Sequence, residues 1–94
     1  MLEISVGAND EIILAGRFDA AEAEKARNVF LSLSGGKTVD FSRLDYISSA
    51  GLGVLLAAQK RLSESGQGLR LINVNGHIRD VFHYSGFDQV FQIE

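Results

Sequence analysis

Segments of strand character and segments of helix character alternate along all 94 residues, and that alternation limits the fold more than any other feature. Leu2, Ile4 and Val6 alternate with Glu3 and Ser5 in "LEISV", "EIILAG" is a fuller apolar run, and the turn residues of "GAND" join them. A β-hairpin is predicted there. Asp19 stands three residues before Glu22 and opens an alanine- and glutamate-rich stretch, the spacing of a capping box at a helix start. That helix is expected to put Ala23, Ala26, Phe30 and Leu33 on one face and to end at Gly35 and Gly36. "KTVDF" reads as a buried strand, and the polar "SRLD" as the loop after it. A second helix is expected from about Ser49 to Ser65, with Leu52, Leu55, Leu56 and Leu62 toward the core and Gly66 or Gly68 terminating it. "LRLINV" follows as a strand, "HIRDVFHYS" as a short helix with Ile78, Val81 and Phe82 inward and Gly86 at its end, and "VFQIE" as a last short strand.

The resulting order, ββαβαβαβ, predicts an α/β fold: one mixed sheet of four to five strands with the helices mainly on one face. Right-handed crossovers place both main helices on the same side if the strands progress in one direction. With no linker or internal repeat, residues 1–94 form a single expected domain.

The entrance to the second helix, "YISSAGLG", is unusual. Each glycine inside a helix costs about 1 kcal/mol relative to alanine, so Gly51 and Gly53 in the first turns need a reason. Ala50, Gly51 and Gly53 are expected to leave the entrance flat, so that another molecule can reach the backbone and the Ser48–Ser49 pair. A serine at this place also serves as an ordinary helix cap. Val54, Ala57, Ala58 and Arg61 lie off the leucine face and form a candidate contact stripe.

Composition removes several classes of function. A net charge of −3, with nine scattered basic residues, offers no positive field for a phosphate backbone, so nucleic-acid binding is not expected. Without cysteine there is no disulfide framework and no thiolate metal site. The longest apolar run, "VLLAA", is too short to cross a bilayer, and "MLEISVG" lacks the layout of a secretion signal, so a soluble cytoplasmic protein is expected. His77 and His83, six residues apart, fall on different helix faces and do not form a metal pair. A nucleophile elbow around Ser49 is only half present, because Ile47 stands where its first glycine belongs. "NVNGH" lacks the glycine spacing of a nucleotide loop. Neither enzymatic activity nor a cofactor is expected.

Residues 39–62, "VDFSRLDYISSAGLGVLLAAQKRL", resemble the signature of STAS domains, in particular the bacterial anti-sigma factor antagonists. "LAGRFDAAEAEKARNVF" and "LRLINVNGHIRDVFHYSGFDQVFQI" are similar to the elements on either side, so the resemblance covers almost the whole chain. It implies a partner-switching protein that binds an anti-sigma factor, itself a serine kinase, and is released by phosphorylation; a metal-dependent serine phosphatase reverses the step. Ser49 falls on the family's phosphorylated serine, with Ser48 as the neighbouring candidate. Ser48 itself stands where many members carry aspartate. The implied partner-binding set is Asp19, Ser48, Ser49, Ala50, Gly51, Gly53, Val54, Ala57, Ala58 and Arg61. Asp19 enters it because the family has an aspartate there, on a loop expected near the serine. A second reading within the same resemblance is an accessory subunit of a transport or signalling complex, never phosphorylated. Oligomeric state stays open, with a monomer favoured.

Overall fold

The computed structural model describes residues 1–94. Strands β1 (Leu2–Val6), β2 (Ile12–Phe18), β3 (Lys37–Ile47), β4 (Leu69–Ile72) and β5 (Gln92–Ile93) form one sheet in sequential order. The β1–β2 pair is antiparallel and every later pair is parallel. Helices α1 (Ala23–Phe30), α2 (Ser49–Ser63) and α3 (Gly76–Ser85) are the three crossovers. Ile12, Leu14 and Phe18 of β2, Val39, Phe41, Leu44 and Ile47 of β3, and Leu69 and Leu71 of β4 are buried in one core with the inward residues of all three helices. The alternate residues Ile13, Ala15, Arg17, Asp40, Arg43 and Arg70 are half-buried or exposed. The helices therefore cover a single face, as the alternation of elements predicts.

β3 departs from its expected length. "SRLD" is strand and not loop, and the reason is a spacing of three between the buried Phe41, Leu44 and Ile47. A period of two would turn Leu44 to the open face. The register with β2 slips by one residue between Ile13 and Ala15 and again between Gly16 and Arg17, the extra residue lying on β3 each time. Bulges thus keep the three apolar side chains inward while Ser42 and Arg43 both face water. Asp40 fastens the first bulge: its Oδ1 accepts from the Ser42 amide at 2.8 Å and from Asn73 Nδ2 at 3.1 Å. Partial burial pushes the Asp40 carboxyl up, but the hydrogen bonds from the Ser42 amide, Asn73 and the Ser42 hydroxyl outweigh it and hold the group below its usual value. A lowered folded value stabilises the protein above the unfolded carboxylate range and ceases to do so as pH falls through the folded value. Urea titrations should therefore show Asp40→Ala less stable than the parent by about 1 kcal/mol at neutral pH, with the gap closing on acidification.

Two helix starts also differ from expectation. Asp19 and Glu22 make no capping box. Asp19 precedes a short 3₁₀ turn, Ala20–Glu22, without a side-chain cap bond, and its backbone carbonyl takes the Glu22 amide at 3.1 Å. α1 begins after that turn and stops at Phe30, so Leu33 packs on the core from the following segment. α3 begins with Asn75, whose Oδ1 accepts from the Ile78 amide at 2.9 Å, and ends at Gly86, whose φ of 79° is the left-handed cap that glycine adopts without strain. Ile78 and Phe82 are buried as expected, while Val81 is half-buried against the same core. Phe82 packs between Phe41 and Phe91, with ring centroids 6.1 and 5.5 Å away. The last strand is shorter than "VFQIE" because a 3₁₀ turn, Phe87–Gln89, leads into it and Val90 and Phe91 bond back to Phe87.

Candidate functional site

The carboxyl ends of the parallel strands β2 and β3 meet the amino end of α2. Ser48 N–H donates to Phe18 O at 2.8 Å, which ties the two strand ends together. Its carbonyl then accepts the first helical bond, from Leu52 N–H at 2.9 Å, and its Oγ accepts from Gly51 N–H at 3.1 Å. Ser48 is thus an N-cap in extended conformation, with its hydroxyl oxygen engaged. Ser49 is the first helical residue, is exposed, and its hydroxyl has no partner in the chain. The Ser49 and Ala50 amides, which a helix start cannot pair internally, are likewise free. Two adjacent serines have divided the work. One closes the helix and the other stands open to solvent over free amides and the positive helix end.

The two glycines are also divided. Gly51 is buried, and a Cβ on it would lie 3.0 Å from Ile47 Cγ1 and from Phe18 Cδ1 and Cγ. Contrary to the expectation for Gly51, it does not flatten the surface; it lets the helix rest on the ends of β2 and β3. Gly53 is exposed with nothing within 4 Å of a built Cβ, so here the flat entrance is real. Val54 and Ala58, expected in the contact stripe, are fully buried. They share the inward face with Gly51, Leu55 and Leu62, spaced three and four residues apart, and the rotation leaves Leu56 only half-buried. Of that stripe, Ala57 is half-buried and Arg61 exposed, the Arg61 guanidinium donating to Leu33 O.

Asp19 comes directly after the Phe18 carbonyl that holds Ser48, and the 3₁₀ turn that it begins packs against α2. The aspartate is therefore brought to the serines, although not as a cap. Its Oδ1 is buried without a hydrogen-bond partner. Arg17, which has no motif signal, lies with its guanidinium carbon 4.2 Å from the Tyr46 ring centroid. Only the pairing of Arg17 with Tyr46 across β2 and β3 reveals that contact. Asp45 is exposed beside it. No group of three or more His, Asp or Glu side chains gathers as a metal site, and no helix is long and apolar enough to cross a membrane.

Removing the Ser48 hydroxyl leaves Gly51 N–H unpaired at the helix entrance. Ser48→Ala should lower stability by about 1 kcal/mol, and Ser49→Ala by much less; thermal melts of the two variants give the comparison directly.

These features define a small α/β domain that presents a free serine at the entrance to α2. A family model described as "Mlab, STAS domain" matches residues 4–93, and the chain belongs to the STAS domain family. It is similar to BtrV of Bordetella bronchiseptica, which carries the name of an anti-sigma factor antagonist, with 46% identity over 55 residues. That match takes in 58% of this chain and 47% of BtrV, so the aligned part is about half the length of the relative. The fold is similar to that of the anti-sigma factor antagonist SpoIIAA in its unphosphorylated form, with a TM-score of 0.75 and 20% identity over 100% of this chain and 88% of the other. The phosphorylated form of the Bacillus cell fate determinant SpoIIAA gives 0.70 and 19% over 100% and 91%.

Proposed function

We propose that this chain is an anti-sigma factor antagonist of a partner-switching pathway, with Ser49 as the switched residue. The observation that carries the reading is the division between the serines: Ser48 Oγ is held by Gly51 N–H, while Ser49 Oγ is exposed and free. A phosphate on Ser49 would add about −1.5 to −2 charges next to the unpaired Ser49 and Ala50 amides, an environment that tolerates an anion. The fold then has no cause to change. A partner shaped to a neutral serine would have to desolvate that charge, and docking fails. The contact surface in this reading comprises Ser49, Ala50, Gly53, Ala57 and Arg61 on α2, with Asp19 at its border. Val54, Ala58 and Gly51 support it from below.

The name of BtrV and the fold of SpoIIAA favour this class, and an anti-sigma factor that is also a serine kinase is the partner it requires, with a serine phosphatase to reset the site. The reading is tested by titrating the unmodified protein into such an anti-sigma factor bound to its sigma factor, with calorimetry and gel filtration as readouts. Release of the sigma factor at micromolar antagonist is expected. If the anti-sigma factor keeps its sigma factor and takes up no antagonist, the accessory-subunit reading replaces this one.

A further inference from the structure

The sheet ends on one side at β1, and that side is a free strand edge. Met1 O accepts from Arg17 N–H, and Gly7 N–H donates to Glu11 O. In the antiparallel register that contains these pairs, Met1, Glu3, Ser5 and Gly7 turn their backbone polar groups toward β2. Leu2, Ile4 and Val6 turn theirs outward. One protein group meets that outward row: Lys25 Nζ, reaching from α1, donates to Leu2 O at 2.6 Å. The outward amides and carbonyls of Ile4 and Val6 have no partner in the chain, and Val6 is 68% exposed. Such an edge is a template for another strand, and a lysine laid across it is a known protection.

We propose that the β1 edge is a self-association surface held closed by Lys25, and that its occupant is a second copy of this chain. The pattern of "LEISV" is symmetric about Ile4. Antiparallel pairing about a two-fold axis at Ile4 makes Ile4 and Ile4 of the second copy a hydrogen-bonded pair, because each turns both polar groups outward. Leu2 then faces Val6 of the second copy, Glu3 faces Ser5, and no like charges are opposed. Val6 gains an apolar neighbour. The pairing needs Leu2 O as the acceptor for Val6 N–H of the second copy, and Lys25 already donates to that oxygen, so an incoming strand has to displace or desolvate its ammonium.

Lys25→Met removes the ammonium, and because the position is exposed on α1 and methionine is an equally good helix former, the fold is retained. Sedimentation velocity over a concentration series should show the parent monomeric and the variant dimerising at least about tenfold more tightly, the fold-change that one charge-assisted hydrogen bond represents. Hydrogen exchange at the Ile4 and Val6 amides should slow in step with dimer formation. A Lys25→Met protein as monomeric as the parent overturns the proposal. So does a parent that dimerises equally well, or a variant dimer in which the Ile4 and Val6 amides still exchange rapidly. None of these readouts involves Ser49, so the proposal stands or fails independently of the switch.

Discussion

Ser49→Asp and Ser49→Glu should bind an anti-sigma factor from about 30-fold to a few thousand-fold more weakly than the parent, while Ser49→Ala binds as the parent does. The range corresponds to roughly 2–5 kcal/mol for a charge left unpaired in an interface. The asymmetry is the informative part. Ser49 Oγ makes no bond within the chain, so losing it costs the fold little, whereas a carboxylate there must be stripped of water before a partner can close over Ala50 and Gly53. The same carboxylate faces the free amides of the first turn and should raise the melting temperature slightly, through about 0.3–1 kcal/mol of helix-dipole stabilisation. Weaker binding together with equal or greater stability separates a docking effect from unfolding. Equal affinity of Ser49→Asp and Ser49→Ala, measured by calorimetry, would remove Ser49 from the switch.

Gly51→Leu and Gly53→Ala should move stability in opposite directions. At Gly51 even a Cβ reaches 3.0 Å from two rings or chains of the core, Phe18 and Ile47, and a leucine has no space beyond it. Overpacking of this kind costs about 3 kcal/mol, which for a domain of this size lowers the melting temperature by roughly 10–25 °C. Gly53 is open, so alanine there recovers the helix propensity that glycine forfeits, about 1 kcal/mol, and raises the melting temperature by roughly 4–8 °C. A methyl group on Gly53 would stand in the open space over which the proposed partner closes. Gly53→Ala should accordingly weaken partner binding even as it stabilises the fold. Melting curves that fall for both glycines, or for neither, would contradict the division between a buried and an exposed glycine.

Much of this arrangement was legible in the residues. The alternation of strand and helix segments gave the order of elements and the one-sided sheet, and Gly86 marked the end of α3. The serine pair marked the junction of β3 and α2, where the proposed function places its switch. What was not legible depended on partners distant in sequence. The spacing of three between Phe41, Leu44 and Ile47 looks like a loop until β2 is placed beside it and the bulges become visible. Leucine spacing pointed to the inward face of α2, and Leu52, Leu55 and Leu62 are buried there, but packing on Phe18 and Ile47 brings Gly51, Val54 and Ala58 inward as well and leaves Leu56 half-buried. Asp19 and Glu22 have the spacing of a capping box, yet a 3₁₀ turn intervenes and leaves Asp19 Oδ1 buried and unpaired beside α2. Capping preference alone does not tell the adjacent serines apart, because either can cap a helix. The hydrogen bond from Gly51 N–H to Ser48 Oγ separates them.

Incubation with ATP and a cognate serine kinase, followed by mass-spectrometric mapping of the peptide that spans Ser48 and Ser49, tests that separation most directly. Phosphate on Ser49, with Ser48 unmodified, is the predicted result. Phosphate on Ser48 would mean that the capping oxygen is the reactive one, and the assignment of the two hydroxyls would be contradicted.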